Sequence, residues 1–264
     1  MPKVLIKTPF LRKLAIHLAL PLLLFYYSVE SQFLLPTEAN GLTKRVDGKH
    51  SILKNGCIGP AIPLEKLRSV ARHYKVSIND VIMTVTSNVL KAYLSSIGDP
   101  DTTYMNIGVP FSLRTDSKLD NQFALLPFRL PLTETFESGL PAVKAEMDRA
   151  KVSPAPYGYY YLIALLVTLP RFLSQTLLES FSKKCSIVFS NVAGTRKPYV
   201  VAGSQVKHQS FYVPCMMKLS GGIAVVSHAD SVKLSLLLDK RVIDDPQVMM
   251  NMFNDKFDEI LREF

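Results

Sequence analysis

The apolar positions between Ile78 and Leu94 recur at helical spacing. Ile78, Val81, Ile82, Val85, Val89, Leu90 and Leu94 share one stripe of a 3.6-residue period, which predicts a helix with that stripe buried. Ser77 stands at the N-cap position, Asp80 three residues later completes a capping box, and Val76 and Val81 are placed as a hydrophobic staple. Capping explains Ser77 and Asp80 and leaves Asn79 without a local reason.

Elsewhere the pattern switches between strand and helix periods. "CIGPAIPL" predicts a strand entering a helix at 65–73, "TTYMNIGVPFSL" a buried strand, and "FALLPFRLPL" a further strand before a helix over 137–151. An apolar helix near 160–182 precedes strands at "CSIVFSNV", "SQVKHQSFYV" and "GIAVVSHA". The last of these is followed almost at once by "SVKLSLLLD", which predicts a hairpin. Asp245 as N-cap and Pro246 at the first helical position open a final helix, with Val248, Met249, Met252, Phe253, Phe257, Ile260 and Leu261 as its apolar stripe. The expected fold class is α/β: one domain over 54–264, a mixed sheet flanked by helices. Residues 33–53, polar and turn-rich, read as a linker. No repeat or low-complexity tract interrupts the chain.

Residues 1–32 form a segment of their own. A basic stretch, "MPKVLIKTPFLRK", leads into "LAIHLALPLLLFYYSV", an apolar run broken by His17 and Pro21. Its charge order and core length fit a secretory signal, with Val29 and Ser31 at the small positions of a cleavage site. A membrane span needs about twenty apolar residues, so this run is short for one. It also fits a helix lying in a lipid interface, with Tyr26 and Tyr27 at headgroup depth and the cations on anionic lipid, or a helix packed on the protein. The expectation is an apolar, membrane-associated helix. "YGYYYLIALLVTLPRFL", at 157–173, is too short to span and reads as buried or interfacial.

The formal charge of +9 comes from 31 Lys+Arg against 22 Asp+Glu in 264 residues. Four of the cations, Lys3, Lys7, Arg12 and Lys13, lie in the first thirteen residues, which carry no acid. No basic stripe interleaved with aromatics is present, so nucleic acid is excluded as the expected partner. A mildly basic surface beside apolar segments suits an anionic membrane face or an anionic cosubstrate such as a coenzyme A thioester. Cys57, Cys185 and Cys215 are far apart, without a CxxC, and the five histidines are scattered, so neither a disulfide framework nor a metal site is expected.

No GxSxG elbow or phosphate-binding glycine loop occurs. His228, in "VSHADS", reads as a histidine at a surface turn, and His208 as a solvent-facing strand residue. Asp244 and Asp245 are adjacent, but one of them caps a helix. In "VPFSLR" a strand ends in Ser112 and Arg114, placing a permanent cation beside apolar surface; a structural salt bridge, with Asp80 as a partner, weighs against substrate contact. "FSNVAG" ends another strand with Asn191, which fits an Asx-type turn.

Taken in order, "SIND", "VPFSLR", "NQFALLPFRLPL", "IVFSNVAG", an alternating hairpin and a "DDP" helix resemble the carboxy-terminal half of the wax ester synthase/diacylglycerol acyltransferase family. The likeness covers about Leu53 to Phe264. It implies one lobe of a chloramphenicol-acetyltransferase-like fold, similar to condensation domains, in which two lobes enclose an acyl-CoA tunnel. It also implies transfer of a long acyl chain from coenzyme A to diacylglycerol or a fatty alcohol. Asn79 and Asp80 match the family's Asn-Asp motif, and Pro110, Ser112, Leu113 and Arg114 its Pro-x-Ser-Leu-Arg motif. Asn121 and Gln122 match an Asn-Gln that opens the next strand, where Asp120 replaces a small residue. Ser190, Asn191, Val192 and Gly194 match a Ser-Asn-Val-Pro-Gly motif in which Ala193 replaces the proline. These are the candidate supporting residues of a tunnel.

The family's general base is the second histidine of an HHxxxDG motif in the other lobe, and no two histidines are adjacent in this chain. No catalytic residue is therefore assigned. The sequence is a fragment of a longer enzyme, half of an enzyme whose first lobe sits in another chain, or a non-catalytic lipid-binding or interaction protein on the same lobe. Expected partners are acyl-CoA as cosubstrate, a lipid acceptor, a membrane surface and such a first lobe, with no bound cofactor. The expected location is a membrane, at the endoplasmic reticulum or a lipid-droplet surface.

Overall fold

The computed structural model describes residues 21–46, 49–114, 122–214 and 218–264. Eight strands lie among them: β1 (Lys54–Pro63), β2 (Tyr104–Ser112), β3 (Phe123–Pro131), β4 (Ile187–Ala193), β5 (Val200–Val201), β6 (Ser204–Gln205), β7 (Gly221–His228) and β8 (Ser231–Asp239). Six form one mixed sheet in the order β1-β8-β7-β4-β2-β3, while β5 and β6 make a small hairpin apart from it. The central strands β2, β4 and β7 run parallel, and β3, β8 and β1 add antiparallel pairings on either side.

The helices are α1 (residues 21–29), α2 (Gly41–Val46), α3 (Leu64–His73), α4 (Ile78–Ser96), α5 (Phe136–Val152), α6 (Ala155–Leu166), α7 (Arg171–Ser182) and α8 (Pro246–Leu261), with a π-turn over Glu30–Leu34 after α1. Strand periodicity divides the core. Met105, Ile107, Ile187, Phe189, Ile223 and Val225 point to one face, where they meet Val81, Val85 and Val89 of α4, Val143 of α5 and Phe253 of α8. Ala124 on the other face meets Tyr159 and Leu162 of α6, Phe181 of α7 and Tyr27 of α1. A third cluster on that face joins Val188 and Ala224 to Val213 and Leu219.

The capped helix forms as its sequence predicts. Ser77 accepts from Asp80 N, and Asp80 accepts from Ser77 N at 2.9 Å. Asp245 caps α8 by accepting from Gln247 N at 2.8 Å. Within 33–53 the structure adds α2, whose Leu42 and Val46 are buried in the main core. The expected helix near 160–182 is two helices, because Pro170 has no N–H to continue the first and sits as the N-cap residue of the second. "SQVKHQSFYV" is not a strand beyond Ser204–Gln205. Its alternation serves a different burial: Val213 lies across the face of the sheet, and the missing side chain of Gly222 lets the Val213 carbonyl come close. The apolar N-terminal run falls partly outside the described residues; its described end is α1, held to α6 where Gly158 leaves room for the Tyr27 ring.

A buried ion pair ties the segment before β1 to the end of β8. Asp239, fully buried, accepts from Lys54 Nζ at 2.6 Å, Ser51 N at 2.8 Å and Arg241 N at 2.9 Å. Burial pushes the Asp239 carboxyl up, and these donors outweigh it, holding it below the ordinary carboxylate value. A depressed folded value means that the stabilisation is complete above the ordinary range and is lost as pH falls through the folded value. Thermal melts from about pH 6 to about pH 2 are expected to show this loss at the acid end. Asp239→Asn is expected to lower the melting temperature near neutrality and flatten the acid dependence.

Candidate functional site

The parallel strands β2, β4 and β7 all end on one edge of the sheet, the usual place for ligands in open α/β sheets. Ser112 closes β2, Ser190 and Asn191 lie near the end of β4, and His228 ends β7. The N-terminus of α4 reaches this edge. There Asn79 Oδ1 accepts from Asn191 Nδ2 at 2.8 Å, across a sequence separation of 112 residues. Strand alternation places Asn191 on the same face as Ile187 and Phe189, toward α4, so the Asn191 amide of β4 meets the helix start. Asn79 has its reason in this bond rather than in the cap.

Asp80 has a different environment. It is 2% exposed, one carboxylate oxygen holds the Ser77 N–H, and Lys151 Nζ lies 3.9 Å from the other. The structure does not pair Asp80 with Arg114. Arg114 lies half-buried just after β2, its N–H 3.4 Å from Ser112 Oγ. Gln122 closes the β2–β3 end through its carbonyl, which accepts from Leu113 N at 2.9 Å. Asn121 lies outside the described residues. Ser112 and Ser190 stand on the face opposite Asn79 and Asn191, because both occupy the alternate phase of their strands. The structure thus joins Asn79 and Asn191, and sets Ser112 and Ser190 across the sheet from them.

His228 is not a surface residue. It is 2% exposed, with Nδ1 2.8 Å from Thr195 Oγ1 and Nε2 3.0 Å from the Val206 carbonyl. The Tyr199 ring packs edge-on at 5.3 Å. The turn itself is Ala229 with φ 51° and Asp230, while the imidazole points back under the segment that carries the β5–β6 hairpin. Both ring nitrogens are occupied, so this histidine anchors that segment and is no base poised for substrate. His208 is exposed and lies outside any strand, with Nδ1 3.5 Å from Ser231 Oγ. None of the described histidines bonds Asn79, Ser112, Ser190 or Asn191.

A feature absent from the residue-by-residue reading is the early end of the β2–β4 pairing. The β2–β4 register contains only Ile107↔Ile187 and Gly108↔Val188, although β2 runs on to Ser112 and β4 to Ala193. Hydrogen-bond phase gives the cause. Leu132 N bonds the Thr103 carbonyl and Leu113 N the Gln122 carbonyl, so odd-numbered residues of β2 face β3 and even-numbered ones face β4. Pro110 therefore turns its nitrogen toward β4 and has no N–H to give. The bond from residue 110 to the Phe189 carbonyl cannot form, and the β2–β4 register ends there. The sequence signal was a proline inside a strand pattern.

Comparison with known proteins gives consistent findings. The family description "WS/DGAT C-terminal domain" fits residues 119–261. A Mycobacterium tuberculosis protein named "probable diacylglycerol O-acyltransferase" is 28% identical over 193 residues, covering 70% of this chain and 42% of the relative. The chain thus spans less than half the length of that curated relative. Among solved structures, the wax ester synthase/diacylglycerol acyltransferase from Marinobacter aquaeolei is similar with a TM-score of 0.60 at 17% identity, over 94% of this chain and 57% of that one. The condensation domain from the monacolin K polyketide synthase has a TM-score of 0.54 at 17% identity, over 96% of this chain and 59% of that one. At these identities the structural likeness establishes the fold: α/β, a mixed sheet flanked by helices, of the condensation and chloramphenicol-acetyltransferase kind.

A double-mutant cycle tests the amide pair. Asn79→Ala and Asn191→Ala are each expected to cost about 0.5–1.5 kcal/mol, with a coupling of about 0.5–1 kcal/mol in denaturant unfolding. Additive effects would show that the bond contributes nothing in solution.

Proposed function

Since the chain belongs to the wax ester synthase/diacylglycerol acyltransferase family through that family's C-terminal domain, we propose that it is the second lobe of an O-acyltransferase. It supports transfer of a long acyl chain from acyl-CoA to diacylglycerol or a fatty alcohol. The observation that carries the reading is the Asn79–Asn191 bond, which brings two family motifs to the carboxyl edge of the parallel strands. The group that would deprotonate the acceptor hydroxyl comes from a first lobe bearing the histidine motif, since the described histidines are engaged elsewhere. The role of this lobe is to bind and orient; the proton transfer belongs to its complement.

A lipid acceptor calls for a lipid surface, and the layer formed by α1, α6 and α7 supports one. Phe25 is 71% exposed, Phe33 82%, Val167 70% and Phe172 74%. The stretch 155–170 contains no charged residue. Several large apolar side chains held in water on one layer mark an interaction surface. The aromatic content and the cations of the basic N-terminus suit an anionic lipid interface. Among the described residues no helix is long and apolar enough to cross a membrane, so contact at the surface is the arrangement proposed.

The reading is tested by assaying labelled acyl-CoA with diacylglycerol or a long-chain alcohol, using the chain alone and the chain mixed with a separately expressed HHxxxDG lobe of a family member. Turnover only in the mixture is expected; absence of turnover in both, with acyl-CoA still bound, would favour a non-catalytic lipid-binding role. On vesicles containing phosphatidylglycerol, Phe33→Glu and Phe172→Glu are each expected to lower partitioning about tenfold, since burying a Phe side chain contributes about 1.5–3 kcal/mol. Unchanged sedimentation with vesicles would reject the lipid-facing layer.

A further inference from the structure

The edge of the sheet opposite the Asn79–Asn191 pair carries an apolar tip of its own. β1 runs antiparallel to β8 and β8 to β7, so Lys54 opens β1 at the edge where β7 also begins. The turn leading into it, 49–53, is held from within. The Lys49 carbonyl accepts from Arg241 Nη1 at 2.7 Å, and Ser51 gives its N–H to Asp239 at 2.8 Å. The Ser51 carbonyl accepts from Lys54 Nζ at 2.7 Å and its Oγ from Leu53 N at 3.0 Å. The Leu53 carbonyl accepts from Lys240 N at 3.3 Å. These bonds fix the backbone on both sides of Ile52, whose side chain is 98% exposed, with Leu53 beside it 64% exposed. The backbone is ordered in advance and Ile52 is stiff at χ1, so burying this pair against a partner loses little freedom.

Cations surround the tip. Lys49, Lys240 and Arg241 are exposed beside it, and Arg45, also exposed, reaches the same segment through the Val242 carbonyl at 3.2 Å. Among the described residues of 41–54 and 239–245 the carboxylates are Asp239, Asp244 and Asp245. Asp239 is fully buried and paired, and Asp245 caps α8, which leaves the exposed Asp244 against four exposed cations. An aliphatic pair ringed by cations is complementary to hydrocarbon beneath a plane of anionic headgroups. This edge also adjoins the apolar layer. Just after Phe33 and Leu34, the Leu35 carbonyl accepts from Lys184 Nζ at 2.6 Å, and Glu38 accepts from Asn106 N of β2 at 3.1 Å. β1 and β2 stand four places apart in the sheet, about 19 Å at about 4.8 Å per strand, so one lipid surface can span the tip and the end of the layer. We propose that Ile52 and Leu53 insert into an anionic bilayer as a second membrane contact, with Lys49, Lys240 and Arg241 on its phosphates. The inference rests on the lipid-surface reading above. It turns the Asn79–Asn191 edge away from the lipid plane, open to a soluble cosubstrate and to a first lobe.

The chain contains no tryptophan, so Ile52→Trp places a single reporter in the full chain. Its emission is expected to shift to the blue on phosphatidylglycerol vesicles and to be quenched by lipid brominated along its acyl chains. On phosphatidylcholine alone neither change is expected, and a shift of equal size there would overturn the proposal. Ile52→Glu is expected to lower partitioning onto phosphatidylglycerol about tenfold and Lys240→Ser about fivefold. Neither side chain is buried, so both variants are expected to keep the melting temperature of the natural chain. Unchanged emission while the chain sediments with vesicles would overturn the second contact and leave the layer of α1, α6 and α7 as the lipid contact. A blue shift without vesicles would also overturn it, whether it came on adding a separately expressed HHxxxDG lobe or on concentrating the chain, because the tip would then be covered by protein. If the natural chain does not sediment with phosphatidylglycerol vesicles at all, the lipid-surface reading fails and this inference with it.

Discussion

A strand can extend a ladder only while each residue that faces its neighbour carries an N–H, and Pro110 breaks that condition in the middle of this sheet. The pairing of β2 with β4 stops short of this position. Up to Gly108 and Val188 the parallel strands are zipped, and their side chains, Ile107, Ile187 and Phe189 among them, anchor α4 and α8 through the main core. Beyond that point β2 stays paired with β3 and β4 with β7, and both carry polar groups to a solvent-facing edge. The paired part of the sheet fixes where Asn191 stands, and the start of α4 gives its amide a partner.

The two faces contribute differently. The face under α4, α5 and α8 holds the large core, with Leu67, Val81, Val89 and Leu130 fully buried. Burying such side chains contributes about 1.5–3 kcal/mol each, so this face supplies most of the cohesion. The other face is covered by helices whose small core centres on Tyr159, which packs at a tilt between Tyr27 and Phe181 and gives its hydroxyl to Glu30 at 3.1 Å. That layer keeps much apolar surface outside.

How much was legible in the sequence depended on the range of the interaction concerned. Ser77 with Asp80 and Asp245 with Gln247 are bonds within three residues, and both could be read from spacing. The strands from Ile187, Gly221 and Ser231 were readable because each carries a short β-prone apolar run, as buried strands do. His228 was misread since its burial is imposed by Thr195 and Val206, segments that its own neighbours do not announce. The residues after Gln205 alternate like a strand, yet the positions beside β4, β7 and β8 were already taken, so they cross a face instead. The helix at Gly41–Val46 has only Leu42 and Val46 to signal its burial, too few for a period. At the candidate site, family likeness picked out Asn79 and Asn191, but only the folded chain shows that they bond each other.

The phase argument that places Pro110 also governs the outer strand β3. Its odd-numbered residues face away from β2, so Pro127 and Pro131 turn nitrogens without hydrogens to the open side of the sheet. At the opposite margin β1 carries a register break between Ile58 and Ala61, with Pro60 inside it. Exposed margins invite neighbouring molecules to stack into fibres, and these prolines and the bulge remove the foothold. A sheet whose outer strands welcomed further strands would be consumed by self-association before it met a ligand, and these flanks guard against that.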